Sequence, residues 1–189
     1  MIRTITSLLA IALFSGSAFC AEAPGVGEVL DQQFRNADRE ITSAVEAMPA
    51  DKMNFAPGSI EIKGSDFKGV RTFGQQAKHL ATYVYLASAA VLQQKPPVET
   101  GGDNGPDSIR TKEQIVDYVK GAFAYGHKAL LSLTEKNQME PVQFEGRPMA
   151  RIGVAVFMMY HNFDHYGQMV EYLRMNGIIP PASRGRGGQ

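Results

Sequence analysis

Four stretches of this chain, close to residues 28–48, 65–94, 111–136 and 149–176, carry apolar residues at steps of three and four. Pairs drawn from proline and glycine fall only outside them. That is the pattern of amphipathic helices that each bury one face, and four such helices make one all-α bundle. In the first, Leu30, Phe34, Ala37, Ile41, Ala44, Val45 and Met48 form the inward stripe, and Met48-Pro49 closes the helix. Asp31, Arg35, Asp38, Arg39 and Glu46 fill the face read as solvated. The second helix is expected to begin at Ser65 or Asp66 and to run to Gln94. Val70, Phe73, Ala77, Leu80, Val84, Ala87 and Val91 line its seam, and Gln76, His79, Tyr83, Leu86 and Ala90 form a second stripe beside it. Thr111-Lys112-Glu113-Gln114 is a capping box that opens the third helix, which is expected to reach Lys136. Ile115, Val119, Ala122, Gly126, Leu130 and Leu133 face inward there, and Gly121 and Gly126 permit close helix approach. The fourth runs from Met149 to Asn176, with Asn176-Gly177 as its left-handed cap, Ile178-Ile179 as the contact beyond and Pro180-Pro181 as the stop.

The connections are longer than a minimal up-and-down bundle needs, so a crossover topology is open. Phe55 and Ile60 are expected to anchor the first, and Val142-Gln143-Phe144 reads as a strand stub in the third. The stretch 99–107 holds Asp103, Asn104 and Asp107 but lacks the ligand alternation and closing Glu of a calcium loop, and is expected to be a solvent loop.

With 189 residues the chain is long enough for one domain with a full core. Its 19 Lys+Arg and 19 Asp+Glu balance, so no bulk charge favours nucleic acid or anionic lipid. A single cysteine excludes a disulfide framework and a thiolate cage. Residues 1–23 have the form of an export signal: Arg3, then the apolar run 8–14, then small residues with cuts available after Ala18, Cys20 or Ala23. The apolar run is too short to span a bilayer, and Phe19 is the wrong neighbour for lipid modification of Cys20. The expected organisation is therefore a signal peptide at 1–23, a bundle over 28–181 and a disordered tail at 182–189. The mature protein would work in the periplasm or outside the cell, without stable membrane insertion.

His161 and His165 lie one turn apart on the fourth helix, a spacing that suits two imidazoles on one ion. At 100° per residue both turn inward, while Asp164, Glu171 and Arg174 turn outward. A third ligand is needed. His79 on the second helix is the best of several candidates, and its ring nitrogen is then expected within about 3–4 Å of the other two. Gln75 and Tyr83, one turn either side of His79, and Gln168 beside His165 are candidates for orienting the rings or a bound water. His127 reads as a flank residue outside the site. A metallopeptidase is disfavoured, because Asn162 stands where that motif has its Glu and Asp164 faces away.

Several stretches together resemble the DinB/YfiT-like family. They are Phe55-x-Pro57, Gln76-x-x-His79-Leu80, His161-x-x-x-His165-Tyr166-Gly167-Gln168, Tyr172-Leu173-Arg174 and Asn176-Gly177-Ile178-x-Pro180-Pro181. The resemblance spans roughly residues 28 to 181. It implies a four-helix bundle and a three-histidine divalent metal site, carried here by His79, His161 and His165, with zinc first and nickel or iron as alternatives. Related members act as thiol-dependent transferases or isomerases using bacillithiol or mycothiol; most are cytoplasmic, and the export signal departs from that.

The expected function is a metal-dependent hydrolase or transferase acting on a small molecule through metal-bound water or an anionic ligand. A non-catalytic exported bundle with a structural metal or a bound ligand is the alternative, and a bundle without metal is a third. No nucleic-acid partner is expected, and a homodimer is compatible with the pattern.

Overall fold

The computed structural model describes residues 23–185; residues 1–22 and 186–189 lie outside the described residues, and with them nearly all of the expected signal segment. Helix α1 spans Val26–Ala47, α2 Phe73–Leu92, α3 Lys112–Leu131 and α4 Arg151–Met175. Strands β1 (Pro141–Phe144) and β2 (Arg147–Ala150) pair as an antiparallel hairpin just before α4. In their main contacts α1 packs on α3 and α4, and α2 packs on α3 and α4. Consecutive helices α1 and α2 are therefore diagonal neighbours, the crossover arrangement that the long connections allow. Among the described residues no helix is long and apolar enough to cross a membrane.

The core follows the apolar stripes. Phe34, Ile41, Phe73, Leu80, Phe123, Leu130, Met158, Met169 and Leu173 are fully buried. Phe34 meets Phe123 at 5.0 Å between ring centroids. Gly126 makes room for that contact, since a Cβ there would stand 2.5 Å from Phe34 Cε1. The end of α4 is a Schellman cap: Ile178 N–H donates to Leu173 O and Gly177 N–H to Arg174 O, both at 2.9 Å, with Gly177 at φ +72°.

Three boundaries differ from the sequence reading. Helix α2 starts at Phe73, well after Ser65 and Asp66, because Thr72 and Gln75 cap it reciprocally. Its first amides also bond the preceding connection, Phe73 N–H to Phe55 O and Gly74 N–H to Met53 O at 2.8 Å each. Val70 consequently lies outside the helix and is 37% exposed, and Ile60, expected as an anchor, is exposed as well. Helix α3 ends at Leu131, short of Lys136, because Thr134 and Asn137 bond each other's backbone and Asn137 Nδ2 donates to Ser132 O. At the far end the expected tail is described to Gly185, and Pro181–Ser183 forms a 3-10 turn in contact with α1.

Candidate metal centre

His79 sits in the second turn of α2, and His161 and His165 sit mid-way along α4, the helix packed against it. One ring nitrogen from each lies within 4.8 Å of the others. His161 Nε2 and His165 Nε2 are 3.2 Å apart, near the roughly 3.3 Å separating two nitrogens bound at about 2.0–2.1 Å to one tetrahedral ion. The expected 3–4 Å spacing thus holds for this pair, while the full set spreads to 4.8 Å. The rings are boxed by aromatics: Phe157 stacks on His161 at 5.0 Å, and Tyr83 lies 4.8 Å from His79 and 4.7 Å from His161.

The outer nitrogens set the tautomers. His79 Nδ1 lies 2.5 Å from the backbone oxygen of Asp103, an atom that only accepts. The proton is therefore on Nδ1, and the Nε2 lone pair is free. His165 Nδ1 donates to Gln76 Oε1 at 2.7 Å, and Gln76 Nε2 donates in turn to Gln168 Oε1 at 2.6 Å, an orientation assigned from the network. Gln168 Nε2 ends the relay at Asp164 Oδ2, 3.4 Å away. Metal-binding histidines are held in this way, with the second nitrogen tied to an oxygen acceptor.

Electrostatics favour neutral rings. Burial, followed by repulsion from the other two rings, lowers the His161 pKa to about 3. Burial and the neighbouring His79 lower His165 to about 4, and burial also lowers His79. Three uncharged nitrogen donors, two of them with lone pairs fixed inward, suit a borderline divalent cation such as zinc. Among the described residues no carboxylate or thiol joins the group, so a tetrahedral ion would keep a coordination position free.

Of the residues expected around the rings, Tyr83 lies against His79 and His161, and Gln168 reaches His165 only through Gln76. Gln75 does neither: its amide oxygen accepts the Thr72 N–H at 2.9 Å as part of the α2 cap. The relay to His165 belongs to its neighbour Gln76, one turn before His79 on the same stripe. Sequence reasoning also passed over Asp103. The stretch expected to be a solvent loop is strapped over α2, with Lys78 Nζ donating to Pro106 O at 2.9 Å and Arg71 Nε to Asn104 Oδ1 at 2.8 Å. Arg71 also pairs with the Asp103 carboxylate. His127 lies outside the centre, as expected, but it is half-buried on α3 and paired with Asp31 rather than free. Asp31, placed on the solvated face by the sequence reading, is 3% exposed.

A profile described as the DinB superfamily matches residues 33–169. Among solved structures, a DinB-like protein from Bacillus cereus ATCC 10987 is similar, with a TM-score of 0.61 and 19% identity over 80% of this chain and 93% of that one. At that identity the likeness speaks for the fold. No curated protein matches.

Proposed function

Because the chain belongs to the DinB superfamily, and its fold gathers three neutral imidazoles at one point, we propose that it is a metal-dependent enzyme. In this reading His79, His161 and His165 hold one divalent ion, zinc first, and a hydrolase or transferase reaction on a small molecule takes place there. The observation that carries it is the fixing of the His79 and His165 tautomers by Asp103 O and Gln76 Oε1, which points lone pairs inward with no carboxylate or thiol among the described residues filling the remaining position. An ion bound there supplies a Lewis acid with an open site. The chain's own residues do the rest. Asp103 and Gln76 keep the rings in register, and Phe157 and Tyr83 exclude water from two sides. The Tyr83 phenol, its pKa raised by burial and by Glu145, stays protonated beside the rings. The pattern of residues 1–23 supports export, and the N-terminal sequence of the secreted protein tests it directly.

Elemental analysis of purified protein beside His165→Ala tests the site: about one equivalent in the wild type and little in the variant is expected. Zinc-loaded protein should then turn over an ester, a phosphoester or a thiol-transfer substrate, with loss in His161→Ala. One bound equivalent with no turnover in either reaction class would return the protein to a non-catalytic role.

A further inference from the structure

We propose, on the basis of the metal reading above, that the three-histidine site takes an amphipathic substrate. Its polar head binds at the ring nitrogens, and its apolar arm lies in the groove between α2 and the β1–β2 hairpin.

Two tracks lead from the centre to that groove. Along α2, His79, Tyr83, Leu86 and Ala90 follow one another at steps of four, three and four, on one face of the helix. Beneath them, Phe157 stacks on His161 at 5.0 Å and meets Phe144 of β1 at 4.9 Å, a continuous aromatic floor. Both tracks end in a groove of about 360 Å³ lined by Leu86, Ala89, Ala90, Gln94, Phe144 and Glu145. Helix rise places Leu86 roughly 10 Å and Ala90 roughly 16 Å from His79 along the axis, within reach of a medium-length alkyl or acyl chain.

The hairpin turn supplies the junction. Phe144 pairs with Arg147, so Glu145 and Gly146 form a two-residue turn, with φ of 49° and 74°. Such turns favour Asn, Asp or Gly at the first position, and a glutamate held there is out of its preferred conformation. The result is a carboxylate on the groove's lining, close to Tyr83. A second anionic group at the bend is disfavoured there, and an uncharged arm passing it is not.

The test uses zinc-loaded full-length protein titrated calorimetrically with acetohydroxamate and with decanohydroxamate below its micelle concentration. Each methylene withdrawn from water strengthens binding roughly threefold to fourfold, so seating only a few makes the long probe at least about tenfold tighter. Ala90→Trp, which fills the groove, should erase that gain while retaining one equivalent of zinc. Equal affinities in the wild type overturn the groove inference and leave the metal reading standing. A gain that survives Ala90→Trp overturns the placement of the arm. If neither probe binds, or both bind equally well without zinc, the metal reading fails and the inference with it. Should Ala90→Trp fail to fold, Leu86→Ser shortens the apolar wall and is expected to reduce the same ratio.

Discussion

The two sides of this bundle each hold histidine, under opposite rules. Between α1 and α3, His127 is enclosed by acids: Nδ1 is 2.6 Å from Asp31 Oδ1 and Nε2 is 3.4 Å from Asp38 Oδ2. Asp31 also takes Arg35, one turn along, at 2.8 Å. Between α2 and α4 the outer nitrogens of His79 and His165 each have an uncharged oxygen as their nearest partner, and the inner nitrogens face one another. The first cluster is closed, since each ring nitrogen already has a carboxylate. The second leaves donor capacity directed at one point. What separates a structural histidine from a candidate ligand is the partner of its other nitrogen, and the number of histidines says nothing about it.

Zinc gives the sharpest way to break that contrast. At a free concentration a thousand times its dissociation constant, it should raise stability to urea by about 4 kcal/mol. A chelator should reverse the gain, and His165→Ala should lack it. His127→Ala should keep it in full; if that variant also loses the gain, the two clusters are not distinct. The next effect belongs to the other side. His127→Ala removes the close partner of Asp31, a carboxylate only 3% exposed, and should cost about 2–3 kcal/mol with or without zinc. Arg35 still pairs with Asp31, which keeps the loss toward the lower end.

The same contrast explains what could be read from the chain alone. Apolar periodicity placed all four helices, and the Thr111 capping box and the Asn176-Gly177 stop were legible because each is a local signal. The start of α2 was not. Ser65 and Asp66 are good caps in isolation, and the choice of Thr72 depends on Gln75 reaching back and on carbonyls arriving from Met53 and Phe55. The Thr72-x-x-Gln75 spacing carried that signal, and it would have freed Gln76 to be seen as the residue facing His165. Asp31 sits on the charged side of α1 by periodicity, and only the packing of α3 against it turns that position inward. Asp103 was illegible for a deeper reason: it holds His79 through a backbone oxygen, which no residue type announces.

Gln76 should yield the next effect down. Gln76→Leu keeps the bulk of a side chain 1% exposed and removes both of its relay bonds. Zinc affinity should fall roughly 10–100-fold, read by competition with a chromogenic chelator. Gln168→Ala breaks only the outer bond and should fall less. Acidification adds a smaller effect near neutrality. Folded His161 and His165 titrate at about 3 and about 4, below the ordinary imidazole value of 6.5 that holds in the unfolded chain. Above pH 6.5 neither state binds the proton and nothing is lost; below it the unfolded chain takes protons that the folded one refuses. Chelated protein should therefore lose stability progressively from pH 6.5 toward 4, and His161→Ala should flatten the slope.

Asp103→Ala should be the mildest change, and its size decides how far the contrast between the two sides extends. Asp103 meets His79 twice, through its backbone oxygen at 2.5 Å and through carboxylate Oδ1 at 3.3 Å. Alanine keeps the first contact and deletes the second together with the Arg71 pair. That carboxylate is 63% exposed, and an ion pair so wet contributes at most about 1 kcal/mol. Its removal also unmasks Arg71, whose charge opposes a cation at the rings. Zinc affinity should thus drop only a few-fold, and Arg71→Ala in the same chain should restore most of it. A drop as large as that of Gln76→Leu would mean that a carboxylate side chain, and not a carbonyl, orients His79. The α2–α4 centre would then depend on an acid partner just as His127 does.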